Sequence, residues 1–284
     1  MSQQINVTYY HHSGFSAAMD DVLLVFDYWQ GERGELPDSR KITPEFLSRF
    51  KEIYVFISHE HGDHLDPVVF EWRESAPVTY IVSYDMPIGT RGKRMNPMDS
   101  LKLSEKVSVQ CFDSTDLGVS FLVNLCGIKI FHAGDLNFWH WREESTAAEI
   151  EDADRLFRKA VEPITKEQVD VAFFPVDPRL GLLFDAGANY FQLAVKPRLM
   201  IPMHFWGRGD IIIEFARRSR SRQTEIVPLT VPGEQMLLEF EENGYLTVNV
   251  DMPNDSIHGQ PVDLGGYEGR DPFNETDLPV DIGQ

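Results

Sequence analysis

The sequence predicts an α/β fold, and three observations support this. Short apolar runs of strand length recur through the first 250 residues. A few longer stretches between them place apolar residues at helical spacing. Several runs end directly in histidine or aspartate, the pattern expected where strand ends bring side chains from distant sequence to one place.

Taken in chain order, strands are predicted at 5–10, 15–19 and 22–27, the last being Val22-Leu23-Leu24-Val25-Phe26 running into Asp27. A helix at 44–50 precedes the strand 53–58, and a helix at 66–74 leads into the strand 78–83. Residues 84–100, with Pro87, Gly89, Gly92 and Pro97, read as a loop that covers the site. Strands follow at 107–112, 119–125 and 128–132, the first two joined by Asp113-Ser114-Thr115-Asp116 and Gly118, all ordinary turn formers. The helix 145–161 is the clearest, because Ile150, Ala153, Phe157, Ala160 and Val161 recur at helical spacing behind Ser145. Strands at 169–174 and 199–203 flank a helix at 187–195. A helix at 210–219 and strands at 225–231, 236–240 and 245–250 complete one domain over residues 1–250. Residues 251–284 are acidic and rich in Pro and Gly, so they are expected to form a tail that wraps the domain or a neighbouring subunit in a homo-oligomer.

The strongest chemical signal follows the apolar run Ile53-Tyr54-Val55-Phe56-Ile57-Ser58. It is His59-Glu60-His61-Gly62-Asp63-His64. Each polar group brought to the end of a buried strand needs a partner or costs several kcal/mol. A metal ion is the economical partner for three imidazoles and a carboxylate. Residues two apart on an extended segment point the same way, so His59, His61 and Asp63 can converge, and Gly62 lets the chain turn so that His64 joins them. Such donors suit zinc, with manganese or iron as alternatives, and their number makes two ions plausible.

These residues, Ser-His-Glu-His-Gly-Asp-His-Leu-Asp in context, resemble the second signature motif of the metallo-β-lactamase-fold hydrolases. Asp27 resembles the first signature, His132-Ala133-Gly134-Asp135 the fourth, and His204 in Ile201-Pro202-Met203-His204-Phe205-Trp206 the fifth. The resemblance implies a four-layer αββα sandwich. It also implies that His59 and His61 hold one metal, that Asp63, His64 and His204 hold the other, and that Asp135 bridges them. The family usually supplies a further histidine between its second and fourth motifs, and none occurs between His64 and His132 here. Asp116 is the candidate replacement ligand, with Asp113 as runner-up. An aspartate there would turn a neutral donor into an anionic oxygen donor and favour harder ions such as manganese or iron over zinc.

Secondary candidates surround this set. His11 and His12 follow the first strand, where a related branch of the family carries a Gly-His-Ala-like segment, so His12 is placed near the metals as a supporting or substrate-binding group. His132 could orient a ligand. Asp177 and Arg179 end the strand at 169–174, and Arg179 could clamp a substrate carboxylate or phosphate bidentately. Phe138-Trp139-His140-Trp141 and Phe205-Trp206 would wall the pocket.

The composition narrows the class. With 284 residues, 42% apolar and 12% aromatic, the chain can bury a large core. A formal charge of -19 disfavours a nucleic-acid substrate, because phosphate backbones are gripped by clustered Lys and Arg. The run from Arg217 to Arg222 ends a predicted helix, where cations are favourable anyway. No apolar run approaches the roughly 20 residues that span a bilayer and the N-terminus has no signal-like pattern, so a cytoplasmic protein is expected. Cys111 and Cys126 lack metal-site spacing. The absence of G-x-S-x-G, Walker and Cys-x-x-Cys motifs removes the commonest rival mechanisms. The expected activity is hydrolysis of a small ester, lactone, amide or phosphodiester by a metal-bound hydroxide that Asp63 orients. A diiron redox enzyme of the same fold and a non-catalytic metal-binding protein are the alternatives. In the reductase branch a Glu usually takes the place of His61, which counts against the redox variant.

Overall fold

The computed structural model describes residues 2–219, 221, 223–241 and 244–251. The predicted acidic tail, beyond Asp251, lies outside the described residues. In chain order the strands are β1 (Gln3–His11), β2 (Gly14–Met19), β3 (Val22–Phe26), β4 (Glu52–Ile57), β5 (Val78–Ser83), β6 (Lys93–Met95), β7 (Ser100–Lys102), β8 (Val107–Asp113), β9 (Val119–Leu125), β10 (Ile128–His132), β11 (Val171–Pro175), β12 (Leu199–Met203), β13 (Glu225–Ile226), β14 (Gln235–Phe240) and β15 (Leu246–Asp251). The α-helices are α1 (Pro44–Leu47), α2 (Ala147–Val161), α3 (Ala186–Ala194) and α4 (Gly209–Arg218). One sheet has the order β15-β14-β1-β2-β3-β4-β5-β6, and the other β13-β12-β11-β10-β9-β8-β7.

Side-chain alternation explains why the sheets face each other. In β3, Val22, Leu24 and Phe26 join the core between the sheets, whereas Leu23 and Val25 join a second cluster on the outer face with Tyr28, Leu47 and Trp72. The strand is therefore apolar throughout and buried on both sides, as β3 to β6 pair in parallel. In the opposite sheet, Phe173 stacks on Phe15 at 4.3 Å across the inner space. Its neighbour Phe174 stacks on Phe191 of α3 at 4.4 Å on the outer side. Sheets inside and helices outside make the αββα sandwich.

Most elements fall where the sequence places them. Helix α2 begins at Ala147, two residues later than predicted, because Thr146 rather than Ser145 caps it and closes a capping box with Glu149. Three expectations change. The helix predicted at 66–74 is two 3-10 turns, Pro67–Phe70 and Trp72–Glu74. The strand predicted at 225–231 pairs only over Glu225–Ile226, and Pro228, which has no N–H to donate, stands soon after. The segment 84–100 is not simply a covering loop. It adds β6 to the edge of one sheet and then crosses to start the other at β7. Among the described residues, no helix is long and apolar enough to cross a membrane.

Strand directions deliver the chemistry to one end of the sandwich. β1, β3 and β4 run alike in one sheet, and β8, β10, β11 and β12 run alike in the other. Their C-terminal ends carry, in turn, His12, Asp27, His59 to His64, Asp116, Asp135, Asp177 and His204.

Candidate metal centre

Three groups of ligand atoms lie within 4.8 Å of one another: His12, Asp63, His64 and His204; His59, His64 and Asp135; and His61, Asp116 and Asp135. His64 and Asp135 each belong to two groups, so the cluster is continuous. Asp135 sits at its middle. Its Oδ1 is 3.1 Å from His64 Nε2 and 3.2 Å from His204 Nε2, and its Oδ2 is 3.3 Å from His59 Nε2 and 3.9 Å from His61 Nδ1. His12 Nε2 is 3.2 Å from Asp63 Oδ2.

The rings are held from behind. His64 Nδ1 is 2.8 Å from Asp27 Oδ2, and His204 Nδ1 is 2.9 Å from Asp177 Oδ2. In each case the carboxylate takes the nitrogen that faces away from the cluster and leaves Nε2 directed into it, the usual arrangement behind a metal-ligating histidine. Asp27 is in turn fixed by Ser58, whose Oγ donates to its Oδ2 at 2.5 Å and whose N donates to its Oδ1 at 2.8 Å. Ser58 Oγ is also 2.9 Å from His59 Nδ1.

The donor set fits divalent cations. His64 Nε2, Asp135 Oδ1 and both ring nitrogens of His12 are buried without a hydrogen-bond partner among the described residues. His64 and Asp135 approach closely but are misaligned for a hydrogen bond. Buried polar atoms are ordinarily paired, and an unpaired one costs about 1–3 kcal/mol. Several of them aimed at a common centre, drawn from imidazole and carboxylate, suit one or two borderline ions.

The fold and this cluster can be compared with known proteins. No family model matches the chain. A UPF0173 metal-dependent hydrolase of Heliobacterium modesticaldum is 24% identical over 223 residues, which cover 71% of this chain and 82% of that protein. Igni18, described as a novel metallo hydrolase from Ignicoccus hospitalis, matches with a TM-score of 0.60 at 20% identity, covering 84% of this chain and 100% of that one. YhfI of Bacillus subtilis, a metallo-β-lactamase fold protein, matches with a TM-score of 0.52 at 11% identity over 84% of this chain and 99% of its own. The chain is a metallo-β-lactamase-fold protein. The fold also extends to CmlA, a diiron β-hydroxylase from Streptomyces venezuelae, at a TM-score of 0.56 and 13% identity, over 83% of this chain and 54% of that one.

Within the metallo-β-lactamase frame, charge is distributed by burial and by neighbours. Burial and the nearby His204 push the His12 imidazole down to about 3, so it is neutral at physiological pH. Burial opposes the charge on His64, but the carboxylates of Asp135 and Asp27 outweigh it and hold the ring well above its ordinary value. His204 is raised in the same way, burial being outweighed by Asp135 and Asp177. Asp135 and Asp63 lie well below the usual carboxylate range although burial works against them, because imidazoles surround both.

Of the two aspartates predicted to replace the absent histidine, Asp116 joins His61 and Asp135, while Asp113 is exposed and accepts a bond from Ser114 N. Thr115 pins that loop: its Oγ1 donates to Asn137 O at 2.5 Å and accepts from Asn137 N at 2.9 Å. His132 lies apart from the ligand groups. Its Nε2 is 2.8 Å from Ser13 O, and its ring stacks on Phe26. Arg179 does not stand free as a substrate clamp, because its Nε and Nη2 donate to Asp177 at 2.6–3.0 Å. Sequence reasoning set His12 outside the ligand groups and passed over Ser58 and Thr115. The one hint for His12 was its place after a strand that runs alongside the others. Gly118 and Gly134 let both loops close on β4. A Cβ at Gly118 would lie 1.9 Å from Ser58 O, and one at Gly134 would lie 2.8 Å from Ser58 Cβ.

Proposed function

We propose that this metallo-β-lactamase-fold protein is a metal-dependent hydrolase of a small ester, lactone, amide or phosphodiester, working with a pair of divalent ions, zinc foremost. The observation that carries the reading is the continuous cluster of ligand groups joined through His64 and Asp135, in which His64 Nε2, Asp135 Oδ1 and both His12 ring nitrogens are buried without a hydrogen-bond partner among the described residues. His12, Asp63, His64 and His204 would hold one ion, and His59, His61 and Asp116 the other, with Asp135 between them. Divalent ions in such a site supply acidified water near neutral pH and polarise the oxygen of the bond to be cleaved.

The chain's own residues do the rest. Asp63, ionised at neutral pH, would accept a hydrogen bond from the attacking water and orient it. Asp27 and Asp177 keep His64 and His204 in one tautomer and one orientation. The half-buried Trp139 and Trp141 narrow the mouth and restrict bulk water. Asp116 adds an anionic oxygen where an imidazole is usual in this family, which raises the standing of manganese and iron relative to zinc. Metal-loaded protein assayed against ester, lactone, amide and phosphodiester panels tests the reading. His61→Ala and Asp135→Ala are each expected to abolish whatever turnover is found, and full activity in either variant would overturn the assignment. Visible iron bands in the purified protein, without hydrolysis, would favour the redox alternative.

A further inference from the structure

His132 ends β10 and is fully buried between the two sheets, with phenylalanines around its ring. It stacks on Phe26 of the opposite sheet with centroids 5.2 Å apart and planes 4° apart, and the Phe173 ring lies 5.9 Å away. A polar ring in an apolar layer is costly unless its nitrogens are satisfied. Here both are. Gly134 N donates to Nδ1 at 3.2 Å, and Nε2 is 2.8 Å from Ser13 O. A backbone N–H only donates and a carbonyl oxygen only accepts, so the ring proton sits on Nε2 and is donated to Ser13 O. Asp27 Oδ2, 3.8 Å from Nδ1, is too distant to compete for it.

The bond to Ser13 bears on the site because Ser13 follows His12. The turn after β1 holds His12 at a φ of 52°, a conformation that persists where the surroundings over-determine it. Both backbone polar groups of His12 are anchored: its N donates to Tyr9 Oη at 2.9 Å, and its O accepts from His204 N at 3.1 Å. The ring has no such anchor. Its two nitrogens are buried without a hydrogen-bond partner among the described residues, and it rests against His204 and Trp206 with centroids 3.9 and 4.5 Å away. The direction of the ring therefore follows from the backbone of the turn, for which Ser13 O is the third fixed point.

We propose that His132 is a positioning residue: through Gly134 and Ser13 it fixes the loop that carries Asp135 against the turn that carries His12, and so aims the His12 ring at the ion shared with Asp63, His64 and His204. His132 belongs to none of the three ligand groups and acts through its neighbours. The proposal rests on the metal-site part of the proposed function and is independent of which bond is cleaved.

The test uses the full chain after chelation, titrated calorimetrically with zinc. His132→Phe keeps the stack on Phe26 and removes the donor, whereas His132→Gln returns a side-chain N–H close to the place of Nε2. His12→Ala identifies the binding event in which His12 takes part. His132→Phe is expected to weaken that event about ten-fold, the effect of one buried hydrogen bond lost, and to leave the other within about two-fold. In the His12→Ala background His132→Phe is expected to cost nothing further, whereas a merely structural role would impose the same loss in both backgrounds. His132→Gln is expected to recover most of the affinity. Nitrogen NMR of the imidazoles reads the tautomer in the unaltered chain, without relying on any variant, and should find the His132 proton on Nε2. A proton on Nδ1, equal losses at both events or in both backgrounds, or no loss at all would overturn the proposal. Zinc binding that shows the coupling without turnover of any substrate sinks only the hydrolase reading, and zinc binding without the coupling sinks only this one. No zinc uptake would overturn both.

Discussion

Removing the Thr115 hydroxyl is expected to weaken one metal position and spare the other. Thr115 Oγ1 bonds both the carbonyl and the amide of Asn137 and so joins the loop that bears Asp116 to the loop that bears Asp135. Each of these bonds contributes about 1 kcal/mol net, giving about 2 kcal/mol for Thr115→Ala in the ordering of the Asp116 loop. If that ordering must be restored when an ion enters, affinity at the position formed by His61, Asp116 and Asp135 falls roughly 30-fold. The position formed by His12, Asp63, His64 and His204 shares no residue with that loop and keeps its affinity. Calorimetric titration of the chelated protein with zinc resolves the two events. Thr115→Ser keeps the hydroxyl and is expected to behave as wild type. Equal weakening of both events, or no change in either, would refute the argument.

Three further outcomes are expected. Asp177 is held down to about 2, since His204 and Arg179 outweigh its burial, so this carboxylate contributes stability above pH 4 that is lost as pH falls towards 2. The contribution is about 2 kcal/mol, and Asp177→Asn should flatten the acid limb of the chelated protein's thermal stability by that amount; an unchanged limb would contradict the pairing. Gly118→Ala would drive a Cβ into Ser58 O at a φ of +79° and should cost about 3 kcal/mol in urea denaturation, whereas a neutral result would mean that the loop approaches β4 less closely. Neighbouring carboxylates raise His64 and His204 above their ordinary values in the metal-free chain, so zinc, which needs both rings deprotonated, should release protons on binding, seen as a dependence of binding heat on buffer ionisation enthalpy, and an absence of that dependence across pH 6–8 would contradict it.

The parts legible from sequence were those in which a local pattern carries its own direction. His59 to His64, Asp135 and His204 each follow an apolar run, and strands that run alike place run ends together. The unbroken apolar runs of β3 and β4 likewise suit strands buried on both faces, as the structure finds them. What escaped was decided by contacts between distant segments. No spacing indicates that the turn after β1 folds His12 against His204, with ring centroids 3.9 Å apart. The choice between Asp113 and Asp116 depends on where Thr115 meets Asn137, 22 positions away. Arg179 read equally as a substrate clamp or as a partner of Asp177, and the structure forms the pair, with Asp177 also meeting His204, a contact that sequence does not show. The segment 84–100 read as a loop for its glycines and prolines, and only the opposing edges supply the partners that make strands of Lys93–Met95 and Ser100–Lys102.

The most direct measurement is a crystal structure of the metal-loaded protein with anomalous data at the zinc edge, paired with metal content per chain. Two zinc ions per chain are expected, one among His12, Asp63, His64 and His204 and one among His59, His61 and Asp116, with Asp135 touching both. Anomalous peaks elsewhere on the protein, or none at saturating zinc, would contradict the account.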